Sequence, residues 1–187
     1  MKKYTIRLVA VMLVFWLSAS SLWAATPTQI YAGNQLRTLG ILIGSGDGSL
    51  QLDNNITRAQ VATIMVRVLA EHPVLYPEGK KFVDVSAKHW GKDYIQNAYK
   101  IGMIQGYPDN TFKPENNITY AEVVAIMVNA LGQKESINPE LSWPENYLTK
   151  GKELGIIPMD STILPDKKIT RGEMALIVWD TILVKNQ

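Results

Sequence analysis

The chain has 187 residues, 47% of them hydrophobic and 19% charged, which supplies a packed core and excludes a disordered or fibrous composition. Its formal charge is +2, and no Lys/Arg cluster occurs beyond the first residues, so a nucleic-acid partner is not expected. The absence of Cys excludes disulfides, thiolate chemistry and an N-terminal lipid anchor.

The chain opens on Lys2, Lys3 and Arg7, then the ten apolar residues Leu8–Leu17, then the small residues of SASSLWAA. This reads as a secretory signal peptide, 1–24, cut after Ala24 or Ala25. An apolar run of ten falls short of the ~20 residues that span a membrane, so no membrane association is expected after its removal. An uncleaved anchor is the alternative, because Leu22 is a poor residue three places before the cut. Cleavage leaves 16 basic against 17 acidic residues, a net charge of −1.

Beyond the leader the chain repeats itself. ITRAQVATIMVRVL at Ile56–Leu69 returns as ITYAEVVAIMVNAL from Ile118 and as ITRGEMALIVWDTI from Ile169. LGILIG at Leu39–Gly44 likewise matches IGMIQG at Ile101–Gly106 and LGIIPM at Leu154–Met159. The predicted units are 25–71, 82–132 and 133–187, with a linker at 72–81 and a short first half in unit one.

Each unit reads as helix, loop, helix. The first helix of unit two carries Trp90, Tyr94, Ile95, Ala98 and Ile101 as one stripe, with Gly102 as a left-handed C-terminal cap. Trp143, like Trp90, stands twelve residues before its unit's cap glycine; the same position in unit one is Thr28. Trp90, Trp143 and Trp179 are assigned to the core, with sugar stacking as a second role for the first two. Thr26-x-x-Gln29 and Ser142-x-x-Glu145 are predicted capping boxes at the first helices of units one and three. Thr57-x-x-Gln60, Thr119-x-x-Glu122 and Thr170-x-x-Glu173 are the boxes of the second helices. Behind the first of these, Val61, Ile64, Met65, Val66, Val68 and Leu69 form a stripe broad enough to be buried on most sides.

The residue after each capping Thr is not explained by packing. An N1 cation faces the positive end of the helix dipole. Arg58 and Arg171 nevertheless sit there, beside backbone N–H groups expected to be free. That arrangement suits an anion, a planar carboxylate above all. Pairing with a nearby acid such as Asp53 or Asp166 is the alternative.

At these residues the chain resembles a known family. Phe82–Leu131, FVDVSAKHWGKDYIQNAYKIGMIQGYPDNTFKPENNITYAEVVAIMVNAL, looks like a nearly complete S-layer homology (SLH) repeat. The match is good for the second half of unit one and looser in unit three. The resemblance implies an all-α, three-pronged helical bundle with pseudo-threefold symmetry. It implies grooves between prongs that bind secondary cell-wall polysaccharide, usually bearing a pyruvate ketal, and non-covalent anchoring to a Gram-positive-type envelope. By position, the carboxylate-binding Arg falls on Arg58 and Arg171, and the groove-lining acid on Asp84. Trp90, Gly106, Tyr107 and Tyr120 complete the expected ligand-binding set. Tyr120 replaces the middle Arg, and Asp84 has no acidic counterpart in unit three, where Ile137 aligns. At most two grooves look equipped.

No enzyme, cofactor or metal site is expected. His72 and His89 stand alone, and His89 reads as a helix-start contact. The loops at Asp47 and Asp109 resemble calcium loops only faintly and lack the Glu at position twelve. A hydrolase would need an acid pair, for which Asp84, Glu115 and Glu122 are candidates in name only. The competing reading is an envelope protein-interaction or structural module with degenerate grooves, partnered by another envelope protein.

Overall fold

The structure, a computed structural model, describes residues 24–69 and 80–185. The leader, apart from Ala24, lies outside the described residues, as do His72 and most of the 72–81 linker. The described residues form six α-helices and no β-strand, so the chain is all-α as the sequence implied. The helices are α1 (Pro27–Thr38), α2 (Arg58–Leu69), α3 (Lys92–Lys100), α4 (Tyr120–Ala130), α5 (Glu145–Glu153) and α6 (Arg171–Lys185), with a 3-10 turn at Lys134–Ser136.

Local chemistry sets most helix starts. Reciprocal capping boxes form at Thr26/Gln29, Thr57/Gln60, Thr119/Glu122 and Thr170/Glu173. Each satisfies two amides that a helix start leaves open. The box expected at Ser142/Glu145 does not form: α5 begins at Glu145 with Pro144 as its cap residue, so the Ser142 side chain is out of place. Gly40, Gly102 and Gly155 follow α1, α3 and α5 with φ of 70°, 76° and 73°, the left-handed turn that ends a helix.

The three repeated phrases meet at one point. Ile56 N–H donates to Ile169 O, Ile169 N–H to Ile118 O, and Ile118 N–H to Ile56 O, closing a ring of three backbone hydrogen bonds. All three side chains are fully buried. That ring is a pseudo-threefold axis made of main chain. The helices pair between units around it. α2 packs on α3, α4 on α5, and α6 returns to α1, so each prong joins the second helix of one unit to the first helix of the next. Val61, Ile64, Met65 and Val66 of α2 are buried, with Val123, Val124, Met127 and Val128 of α4 and Met174, Ala175, Ile177 and Val178 of α6.

The stripe read for α3 needs correction. Ile95 and Ala98 are buried and Tyr94 packs partly against the core, but Trp90 precedes the helix and is 56% exposed, and Ile101 is also exposed. Trp143 is 52% exposed, so neither Trp is a core residue. Trp179 is partly buried and meets Tyr31 edge to face.

Candidate functional site

Three quasi-equivalent junctions, the positions of the expected grooves, lie where the second helix of one unit starts against the loop of the next. Their backbone frame is shared. The amides of Arg58 and Ala59 donate to Asn116 O and Pro114 O, those of Tyr120 and Ala121 to Lys167 O and Pro165 O, and those of Arg171 and Gly172 to Asn54 O and Leu52 O. The amides expected to be free beside each Arg are therefore occupied by the neighbouring loop. These helix starts offer side chains, not free first-turn amides, to an anion.

The first groove joins Arg58 to unit two. Arg58 is 6% exposed; its Nε donates to Phe112 O at 2.9 Å, and Nη2 donates to Gln105 O at 3.3 Å. Nη1 donates to Glu122 Oε1 at 3.0 Å, and Tyr107 Oη donates to the same oxygen at 2.8 Å. The guanidinium also lies over the Tyr107 ring. Burial works against ionisation of Glu122, but the Thr119 N–H, Arg58 and Tyr107 outweigh it and hold its carboxyl below the ordinary value. Burial, reinforced by Glu122, pushes the Tyr107 phenol up to about 12. A cleft of about 250 Å³ opens here, lined by Arg58, Gln105, Glu122, Asn129, Trp143 and Tyr147.

The second groove joins Tyr120 to unit three. Tyr120 is buried, its hydroxyl 2.9 Å from Ser161 Oγ. Glu173 stands where Glu122 stands in the first groove, and here Lys167 pairs with it. Asp180 on α6 occupies the helical position of Asn129, and burial raises its carboxyl above the ordinary value.

The third groove joins Arg171 to unit one. Its contacts reproduce those of Arg58: Nε donates to Leu50 O at 2.9 Å and Nη2 to Ile43 O at 3.1 Å. The position of Glu122 is held here by the neutral Gln60, whose Oε1 accepts from Thr57 N–H. No ion pair among the described residues involves Arg171. Burial lowers its pKa from the ordinary arginine value. Neither Asp53 nor Asp166 pairs with Arg58 or Arg171.

The residues singled out in the sequence thus separate. Arg58 and Tyr107 meet in the first groove, and Tyr120 and Arg171 occupy the other two. Asp84 is exposed at the outer edge of the unit-two loop, where its carboxylate accepts from the amides of Phe112 and Lys113 at 2.8 and 2.7 Å. Gly106 is a packing position: a Cβ there would fall 2.1 Å from Phe82 Cε1. Trp90 stacks on His89. Gly91 N–H donates to His89 Nδ1, which places the proton on Nε2, 2.8 Å from Glu115 Oε1. The Asp47 and Asp109 carboxylates accept from the amides of Ser49 and Thr111 inside their own turns. No group of acids and His that could hold a metal ion converges among the described residues.

Glu122, Asn129 and Tyr147 line the first cleft without having been singled out as binding residues; Trp143, given sugar stacking as a second role, lines it too. The signal lay in the alignment. Ten residues after the capping Thr the units carry Arg67, Asn129 and Asp180, and four residues after the Trp position they carry Ala32, Tyr94 and Tyr147.

Comparison with known proteins agrees with this architecture. The sequence model of the S-layer homology domain matches residues 81–124 and 140–175. The chain is 34% identical over 142 residues to the middle cell wall protein of Brevibacillus brevis, covering 75% of this chain and 13% of that protein. It is 36% identical over 124 residues to a surface layer protein of Brevibacillus choshinensis, covering 65% of this chain and 11% of that protein. It is 34% identical over 94 residues to a cellulosome-anchoring protein of Acetivibrio thermocellus, covering 47% of this chain and 20% of that protein. The chain therefore spans only a small fraction of the relatives it matches. With its ring of three repeated phrases and the matched segments in its second and third units, the chain belongs to the S-layer homology domain family.

Proposed function

We propose that this chain is a non-covalent cell-wall anchoring module that recognises an acidic wall polysaccharide, a pyruvate ketal being the expected acidic group. Its relatives are cell-wall, surface-layer and cellulosome-anchoring proteins, which supports a place at the wall surface. The observation that carries the reading is Arg171. It is a half-buried guanidinium with two N–H groups fixed on backbone carbonyls and no carboxylate partner among the described residues. A partly desolvated fork of this kind is a seat for an exogenous carboxylate.

The test is co-sedimentation of the exported chain with purified wall sacculi, before and after mild acid removes ketal-linked pyruvate. Retention lost both on pyruvate removal and in Arg171→Ala supports the reading. A folded chain that stays in the supernatant with untreated sacculi rejects it and leaves a protein-interaction role. The second groove would then be the place to look, because Tyr120 has replaced its Arg.

A further inference from the structure

The third groove contains a second arginine, Arg67, where the aligned positions of the other two grooves hold Asn129 and Asp180. Arg67 lies on α2, at the helical position of Asn129, which lines the first cleft. The two positions make matching contacts. Asn129 Nδ2 donates to Met103 O and its Oδ1 accepts from the Tyr147 hydroxyl; Arg67 Nη1 donates to Ile41 O and the guanidinium lies over the ring of Tyr94. Ile41 and Met103 each directly follow the cap glycine of their unit. Arg171 donates to Ile43 O, two residues along the same segment. Arg67 and Arg171 therefore converge on one short stretch of main chain, with the neutral Gln60 where the first groove has Glu122. Neither guanidinium has a carboxylate partner among the described residues.

Both guanidiniums bond to carbonyls of one short segment and neither meets a carboxylate among the described residues, so a ligand with two negative charges can engage both where a singly charged one engages one. The aromatic position of this groove is also filled, because Trp90 and Tyr94 of unit two stand where Trp143 and Tyr147 of unit three complete the first cleft. The second groove offers the opposite: Thr28 and Ala32 in the aromatic positions, Tyr120 for the Arg, and Glu173 and Asp180 as acids.

We propose that the third groove recognises a glycan segment bearing two negative charges, with Arg171 seating the first and Arg67 the second. The inference rests on the wall-glycan reading and deepens it. The second charge can be a neighbouring carboxylate or a phosphate ester, and the experiment separates them. The full exported chain is titrated with three probes: a sugar with one pyruvate ketal, the same sugar extended by a uronic acid, and the same sugar carrying a phosphate monoester.

The expected result is that one or both doubly charged probes bind at least tenfold more tightly than the singly charged one. The better of the two identifies the second group. Arg67→Gln should abolish that advantage and leave the singly charged probe within about twofold, while Arg67→Lys keeps part of the advantage. Arg171→Gln should weaken all three. Equal affinity for all probes, or an advantage that survives Arg67→Gln, overturns the role of Arg67 and leaves the wall-glycan reading intact. No binding of any probe or of sacculi by the folded chain overturns both. Unfolding curves of each variant separate lost binding from lost structure.

Discussion

An arginine in the first turn of a helix is electrostatically misplaced when the helix is considered alone. Arg58 shows why it is tolerated here. The first amides of α2 are already occupied by carbonyls of the next loop, and the guanidinium reaches past them to Phe112 O and Gln105 O of the same loop. The residue ties two units together before it can bind anything. Its partner Glu122 serves both the capping box and the ion pair, one oxygen for each. A depressed carboxylate contributes stability that is fully present above its unfolded-state pKa and is lost as pH falls through its folded-state pKa. Wild type should therefore exceed Glu122→Gln by about 1–2 kcal/mol at neutral pH, allowing for partial solvent screening. The gap should close below the ordinary glutamate value of 4.5. Urea unfolding from pH 7 to pH 3 measures it, and a gap that stays constant with pH would show that Glu122 acts through shape alone. The sequence made Arg58 conspicuous because its position broke a rule. It left Glu122 inconspicuous because a capping box accounts for a Glu there by itself. Asp84 has a local role that its acidic character did not announce: each of its two oxygens accepts from a loop amide.

At the scale of elements, helix starts and stops were the most legible features, since they depend on residues within one turn. Four boxes formed as read, and three cap glycines adopt positive φ. The box at Ser142 failed because the helix starts two residues later than that box requires, with Pro144 as its cap residue. The assignment of Trp90 and Trp143 to the core failed because helical spacing says which residues share a face, not how fully that face is covered; about half of each residue stays exposed. The loops add a contrast between two glycines. At Gly102 the φ is 76° and a Cβ would meet nothing within 4 Å, so Gly102→Ala carries the left-handed penalty alone, about 1 kcal/mol. At Gly106 an added Cβ would meet Phe82 Cε1 at 2.1 Å and the Thr111 carbonyl oxygen at 2.8 Å. Displacing Phe82 also disturbs Tyr99, which it meets edge to face, and Phe112, which it meets at a tilt. Gly106→Ala should thus cost about 2–3 kcal/mol, and thermal unfolding of the two variants side by side should rank it well below Gly102→Ala in stability. Equal losses would mean that the loop, not Phe82, gives way.

For the whole molecule, the repeat was legible from the sequence but its assembly was not. Similar phrases say that three units exist; they do not say that each prong is shared between consecutive units, which the packing of α2 on α3, α4 on α5 and α6 on α1 establishes. A ring closed in this way cannot lose one unit and keep the others packed. Ile56→Ala, Ile118→Ala and Ile169→Ala should each cost about 2–5 kcal/mol and differ from one another by no more than about 1 kcal/mol, because all three are fully buried around one axis. Helix content and tryptophan fluorescence should be lost together in one transition. Separate transitions would show prongs that stand independently.

The same symmetry lets charge distinguish grooves that share one backbone frame. The first groove pairs Arg58 with Glu122, the second sets Glu173, paired with Lys167, near Tyr120 and has Asp180 at the position of Asn129, and the third holds Arg171 and Arg67 with Gln60. A single atom change tests whether neutralisation closes the first groove to anions. Glu122→Gln gives that groove the residue the third groove already has at Gln60, which keeps the capping oxygen and releases Arg58 from its ion pair. The variant should bind a singly pyruvylated sugar at two sites per chain where wild type binds one. The new site should lack any preference for a second charge, because Asn129 stands there in place of Arg67. Isothermal titration reads both the stoichiometry and the preference. If the variant is folded and the count stays at one, Arg58 is held by Phe112 and Gln105 alone, and its groove is closed by the loop rather than by Glu122.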